Sequence, residues 1–516
     1  MKVGSNIVAT EKELHELGIS LDSLKDDLTL PNPEYVNFKR FGKGRFYKKI
    51  DPYICYLTKV GDNYIIPRYY YNMDTTPYKV TDETISGRPL ESESHIKLRD
   101  YQDSFIKASY DSILATTGVL LEAPCGHGKT VLGIWLAYLR GVQTMILVPT
   151  YYLAKQWQQR IKEFTDATSI ILKSTDKEVP VDSDFTIVCM DLFSCRALPD
   201  ALIKNVGHVI LDEAHRIGAE VYLPILNEIP ATYRTALTAT FRRNDGVHKV
   251  LKYHFGTHIK MDNRFPKPLV YAVKTNVSIQ GVVTKNKPYT KFLEFLDSID
   301  YPYKETKNTI ELKYTESLRN TVEDKIKKGS ITKTAYREIT ACLRRSSEMS
   351  YSVVDSYLNE HSGRRKTAIK LIQECLDAGR TVLFLSKRKD TLKTLHKYFA
   401  KYKPMLIISE TNERSPEDEM YLQNACPLIF GVTQLAKEGL DIDRLDTLII
   451  HLPMKDTEQA IGRISRLHKD KKTPVCLYLL DDCPITYAVY NNAKKFFKIN
   501  AELKGERTLQ TINTAL

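Results

Sequence analysis

Apolar residues fall along this chain in two rhythms. Short continuous runs recur as "GVLLE", "MILVP", "FTIVCM", "HVILDEA" and "YRTALTAT" between Leu98 and Met261, and again as "TVLFLS", "LIIS", "LIFGV", "TLIIHL" and "VCLYLL" after Arg364. Between them lie segments with helical spacing, such as "VLGIWLAYL", "TAIKLIQECLDAG" with Gly379 placed as its cap, and "KDTLKTLHKYFA". Continuous runs suit strands covered on both faces and helical stripes suit the elements that cover them, so the pattern predicts βαβ units with parallel sheets. Upstream of His95, alternating stretches such as "YICYLTKV" and "YIIPRYYY" predict short strands in a separate small module.

Between 262 and 362 the rhythm weakens into charge-rich segments that read as helices, and "CPITYAVYNNAKKFFKINAELKGERTLQTINTAL", from Cys483 on, reads as closing helices. The expected organisation is therefore an accessory module at 1–95, an α/β domain at 96–262, a connector or helical insertion at 263–362 and a second α/β domain at 363–516. The fold class is α/β, with two tandem parallel-sheet domains and a β-containing module before them.

At 516 residues the chain has room for roughly three domains. Its 75 Lys and Arg against 63 Asp and Glu leave a formal charge of +12, which favours a polyanionic partner. The nine cysteines form no C-x-x-C pair and no Cys/His cluster of zinc spacing, so they read as reduced thiols. No apolar run approaches the ~20 residues that span a bilayer, and the first residues lack the apolar core of a secretion signal. The expectation is a soluble intracellular protein with no membrane partner.

The chemistry concentrates in two places. "APCGHGKT", Ala123–Thr130, follows an apolar strand and precedes a helix, the context that marks a phosphate-binding loop. There the backbone N–H groups around Pro124, Cys125, Gly126, His127 and Gly128 face phosphate oxygens, Lys129 adds a point charge, and the Thr130 hydroxyl holds Mg²⁺. "HVILDEAHR" ends a strand in adjacent carboxylates: Asp212 suits the Mg²⁺ shell and Glu213 the polarising of an attacking water. Taken alone, each has a plainer reading, a glycine turn opening a helix and a solvated acid pair at a helix start.

Together "APCGHGKT" and "DEAH" resemble motifs I and II of the superfamily 2 helicases, with Ala123 where the usual pattern has Gly. The other motifs of that family follow in order. "LRDYQ" resembles the element in which a glutamine, here Gln102, reads adenine. "ILVPTYYLAKQW" resembles motif Ia, and "LTAT" resembles motif III, which implies coupling roles for Thr238, Ala239 and Thr240 alongside His215. "VLFLSKRKD" resembles motif IV. "GVTQLAKEGLDI" resembles motif V, with Thr433 at a nucleic-acid phosphate and Gly439 and Asp441 near the nucleotide. "EQAIGRISRLH" resembles motif VI, with Gln459, Gly462, Arg463 and Arg466 in register. The series runs from about Leu98 to Leu480. "LRDYQ", "TATFRRNDG" and "EGLDI" together are similar to the group containing UvsW-type phage, poxvirus transcript-release and XPB-type helicases. "NPEYVNFKRFGKG" and "YIIPR" resemble more loosely the small domain preceding the motor in viral and phage members.

The resemblance implies two RecA-like domains, ATP and Mg²⁺ as cofactors, and a monomer of viral or phage type in host cytoplasm or virion. The ATP would be enclosed when Arg463 and Arg466 close on the domain of Lys129 and Glu213. Nucleic acid would lie along Pro149, Thr150 and Thr433, and movement would run 3′ to 5′. DNA, whether duplex, forked or branched, is the favoured partner. An RNA helicase is the alternative because "DEAH" also marks RNA-remodelling enzymes, although those usually carry "SAT" in place of "TAT". A third reading is a scaffold with an inert ATPase. The basic, aromatic run "FKRFGKGRFYKK", Phe38–Lys49, reads either as a DNA grip or as a solvated hairpin.

Overall fold

The computed structural model describes the chain apart from residues 33, 36–50, 74–75, 77, 125, 173–180, 191–197, 215–218, 240, 242–245, 285–287, 306, 308, 315, 347–350, 409–414, 434–441, 455–456 and 513–516. Two compact units divide it, Met1–Asn263 and Arg264–Leu516.

In the first unit seven strands form one sheet in the order Ser169–Leu172, Phe185–Cys189, Thr144–Val148, His208–Leu211, Tyr233–Thr238, Gly118–Glu122 and Thr257–Lys260. Every neighbouring pair is parallel. Strands such as Thr144–Val148 and His208–Leu211 are buried along their whole length because helices cover both faces, which is why their sequences are unbroken apolar runs. The helix Lys129–Arg140 starts and ends on glycines in the left-handed region, Gly128 and Gly141, and the Gly141 N–H closes the last turn on the Ala137 carbonyl.

Before this sheet comes a five-stranded mixed sheet, ordered Thr58–Val60, Asn63–Pro67, Asn6–Thr10, Lys2–Val3 and Thr81–Asp82. The sequence suggests a separate module, but the packing joins it to the parallel domain. Ile7, Leu24, Leu28 and Ile66 share one continuous core with Leu226, Ile229, Val250 and Phe255. Arg68, only 7% exposed, donates to the Ala231 carbonyl at 2.6 Å, and Asn6 donates to Asn227 at 2.7 Å. The segment that follows crosses the amino ends of the parallel strands through bridges Ile85↔Ala231, Pro89↔Val142 and Ser94↔Thr165.

The second unit repeats the plan. Seven parallel strands run Met405–Ile407, Leu428–Val432, Val382–Ser386, Thr447–Ile450, Val475–Asp482, the first half of Leu269–Thr284, and Glu502–Arg507. The segment expected to be a connector or helical insertion thus opens with a sheet strand. The far half of Leu269–Thr284 leaves the parallel sheet and pairs antiparallel with Thr309–Tyr314, itself antiparallel to Tyr303–Glu305. Helices Thr290–Asp297, Glu316–Lys327 and Lys333–Ser346 complete this part around a small core of its own, including Phe292, Ile310, Leu318 and Ile339. After the helix Pro484–Asn500, the expected closing helices give way to the strand Glu502–Arg507. Among the described residues no helix is long and apolar enough to cross a membrane.

Candidate active site

Parallel sheets gather loops at their carboxyl edge, where ligands of open α/β folds bind. In the first unit, Thr238 sits beside Glu122 in register, and the Ala123 N–H donates to the Thr238 carbonyl at 2.9 Å. The Asp212 N–H donates to Leu147 O at 2.9 Å. The loop 123–128, the acid pair 212–213 and residues 238–239 therefore leave the same edge of one sheet.

The loop owes its shape to glycine. Gly126 and Gly128 have φ of 83° and 77°. A Cβ on Gly128 would stand 2.4 Å from the Gln102 amide nitrogen. That amide nitrogen donates to the His127 carbonyl at 3.0 Å, while Gln102 Oε1 accepts from the Arg99 N–H at 3.0 Å. The side chain expected to read adenine thus ties the amino end of helix Asp100–Leu114 to the loop. Lys129 Nζ lies 3.4 Å from the Ala123 carbonyl, over the loop that it follows. Ala123 is fully buried, so the methyl group that departs from the usual glycine packs inward. Pro124 and Thr130 are partly exposed, Pro124 within the loop and Thr130 in the first turn of helix Lys129–Arg140.

Asp212 is 4% exposed, and Glu213 follows it at φ 49°, a left-handed conformation rare for a side-chain-bearing residue. Asp212 Oδ2 accepts from the Trp157 indole N–H at 2.7 Å, and Oδ1 accepts from the Glu213 N–H at 2.8 Å. Burial first, and then the neighbouring Glu213 carboxylate, push the Asp212 carboxyl up to about 6, while Trp157 and Lys129 oppose the rise. Two crowded acids beside an ammonium form a donor set that a divalent cation would relieve, so these residues fit Mg²⁺ with a triphosphate on the loop.

Trp157 escaped the sequence reading, although it lies within the quoted "AKQW". The same ring covers Gly133 so closely that a Cβ there would meet it at 2.7 Å. Pro149 ends the strand Thr144–Val148, and Thr150 caps helix Tyr151–Phe164, its hydroxyl accepting from the Leu153 N–H. Thr238 and Ala239 are buried at the sheet edge. Cys125, His215, Thr240, Gly439, Asp441 and the run 38–49 lie outside the described residues.

In the second unit Thr433 is buried directly after the strand Leu428–Val432. Gln459, Gly462 and Arg463 lie on the helix Glu458–Ile464, which is anchored by buried Ala460, Ile461 and Ile464. Arg466 follows that helix and pairs with Asp443 at 3.5 Å.

Residues 95–243 match the family described as Type III restriction enzyme, res subunit. The chain is 23% identical over 478 residues to the putative ATP-dependent RNA helicase L396 of Acanthamoeba polyphaga mimivirus, covering 90% of this chain and 78% of that one. It is 31% identical to the DNA 3′-5′ translocase XPB2 of Sulfurisphaera tokodaii over 33% of this chain and 37% of that one. The helicase domain of Pyrococcus furiosus Hef aligns with 75% of this chain and 97% of its own at 15% identity and a TM-score of 0.42. Tandem parallel α/β units and these sequence matches define an ATP-dependent enzyme of the helicase class. Within that class the sequences it resembles include viral putative helicases and XPB-type helicases.

Proposed function

We propose that this enzyme hydrolyses ATP to translocate on, unwind or remodel duplex or branched DNA. The observation that carries the reading is the gathering of the Gly126–Gly128 loop, Lys129, the Asp212–Glu213 pair and Thr238 at one sheet edge. In this reading the loop N–H groups and Lys129 hold the phosphates, Gln102 sets the loop against its helix, and Thr130 and Asp212 hold Mg²⁺. Bound Mg²⁺ neutralises charge between the outer phosphates. Glu213, with its left-handed backbone, accepts a proton from the attacking water. Gln459, Arg463 and Arg466 supply polar and cationic groups to the transferring phosphoryl, where an arginine is worth on the order of 10³-fold or more. Thr238 and Ala239, joined to the loop through Ala123, relay nucleotide state toward nucleic-acid contacts at Pro149, Thr150 and Thr433.

The excess of basic residues supports a polyanionic track, and the translocase name of the archaeal relative favours DNA and 3′ to 5′ movement. The RNA helicase name of the mimivirus relative favours the second reading, RNA. ATPase stimulation by matched DNA fork, DNA duplex and RNA duplex separates the two. Lys129→Ala and Glu213→Gln are expected to abolish turnover while DNA binding persists; undiminished ATPase in both would remove the assignment.

A further inference from the structure

Arg466 is held in place by two residues outside the motifs. Its guanidinium lies 3.5 Å from the Asp443 carboxylate, and its side chain is only 11% exposed. Lys471 donates from Nζ to the Arg466 carbonyl at 2.8 Å and to the Asp443 carbonyl at 3.0 Å. One ammonium therefore fastens together the two backbone segments whose side chains form the ion pair.

The arrangement is costly in a way that a plain helix ending is not. Burial pushes Lys471 down to about 8, Asp446 and Asp443 oppose that shift, and Arg466 adds to it. Asp446 is itself shared with Arg380 at 3.6 Å. A glycine or a hydroxyl side chain would close the chain after helix Glu458–Ile464 without burying a cation beside another cation. What the cation adds is a tie between the Arg466 and Asp443 backbones.

We propose that Asp443 and Lys471 are positioning residues for Arg466: Lys471 fixes the backbone, and Asp443 orients the guanidinium until a phosphate takes the place of the carboxylate. The proposal rests on the reading that Arg466 acts on the nucleotide. Guanidinium geometry that is set in advance loses less freedom at the moment of reaction, so its loss falls on kcat more than on KM.

The test uses the full chain, ATP and a forked DNA duplex. Asp443→Asn and Lys471→Met are each expected to lower kcat about tenfold, with KM for ATP changed less than about twofold. Lys471→Arg, which keeps two carbonyl contacts in reach, restores most of the rate. In an Arg466→Ala background, Asp443→Asn has no further effect, because a residue acting through another cannot act without it. An equal loss with and without Arg466, or no loss at all, overturns the positioning role alone. Full turnover in Arg466→Ala overturns the reading of Arg466 itself, and the proposal with it. Should Lys471→Met fail to fold, as read by its thermal melt, the near-isosteric Asp443→Asn cycle decides.

Discussion

The Trp157 indole N–H donates to Asp212 Oδ2 at 2.7 Å, with Trp157 only 1% exposed and Asp212 4%. A helix in the middle of the first domain thereby orients a carboxylate at the end of a strand. Trp157→Phe removes the indole donor together with the far ring atoms that reach Gly133. It is expected to lower stability by about 1.5–3 kcal/mol, the range for a hydrogen bond to a charged group. The Mg²⁺ concentration for half-maximal ATPase should rise about tenfold, as for an outer-shell partner of a metal ligand. A Mg²⁺ titration of both proteins measures this, and an unchanged midpoint would separate Trp157 from the metal.

Gly128→Ala tests the loop. The new Cβ meets Gln102 Nε2 at 2.4 Å and must be carried at φ 77°. The backbone conformation alone costs about 1–2 kcal/mol for a residue with a Cβ. Weaker ATP binding is expected, read by titration with a fluorescent ATP analogue. Gly505→Ala is the control, since its φ of +81° carries the same strain in open space. Equal ATP affinity in both variants would show that the Gln102 contact has no bearing on the nucleotide.

The first strands and the parallel domain should not come apart. Removing residues 1–80 strips Ile7, Leu24, Leu28 and Ile66 from a core shared with Val250 and Phe255, and takes Arg68 from the Ala231 carbonyl. The truncated chain is expected to lose the first unit's share of the near-UV circular dichroism and of the cooperative melt, while that of Arg264–Leu516 remains. Retention of the first unit's share would show that the parallel domain is self-sufficient. Arg68→Met, a smaller change, should cost about 1–3 kcal/mol through the carbonyl it leaves unsatisfied.

Acid should weaken the fold through buried histidines. Burial holds His208 and His254 down to about 3 and His451 well below the usual imidazole range; nearby arginines contribute in each case. The unfolded imidazoles protonate near 6.5 while the folded ones stay neutral, so stability is complete above that pH and is lost as pH falls below it. Each group contributes up to about 1.4 kcal/mol per pH unit. Urea midpoints measured from pH 7.5 to 5 should fall. His208→Gln, which retains polar groups near Thr235 and Thr144, should fall less steeply. Parallel curves for the two proteins would exclude His208.

The strands that the apolar runs announced are those buried on both faces, such as Val382–Ser386 and Thr447–Ile450, where burial along the element writes itself directly into the sequence. Gly379, anticipated as a cap, has φ 64°, and the Arg380 N–H returns to the Cys375 carbonyl. Leu269–Thr284 was missed although "LVYAVKTNVSIQGVVT" is rich in β-branched residues, because its charged surroundings resembled helix. Glu502–Arg507, "ELKGER", has no alternation to detect: it is a strand because Leu269–Val273 offers its backbone a parallel partner.

The order of apolar runs, glycines and charged motifs along the chain determined two parallel α/β domains and the residue types that serve a nucleotide. Tertiary structure decided which residues meet partners far away in sequence: Trp157 with Asp212, Gln102 with the loop, Lys471 with Asp443, and Arg68 with the Ala231 carbonyl just ahead of the strand Tyr233–Thr238. Periodicity records only whether a position is buried. The partner it is buried against depends on how distant segments close on one another, and no local pattern carries that information.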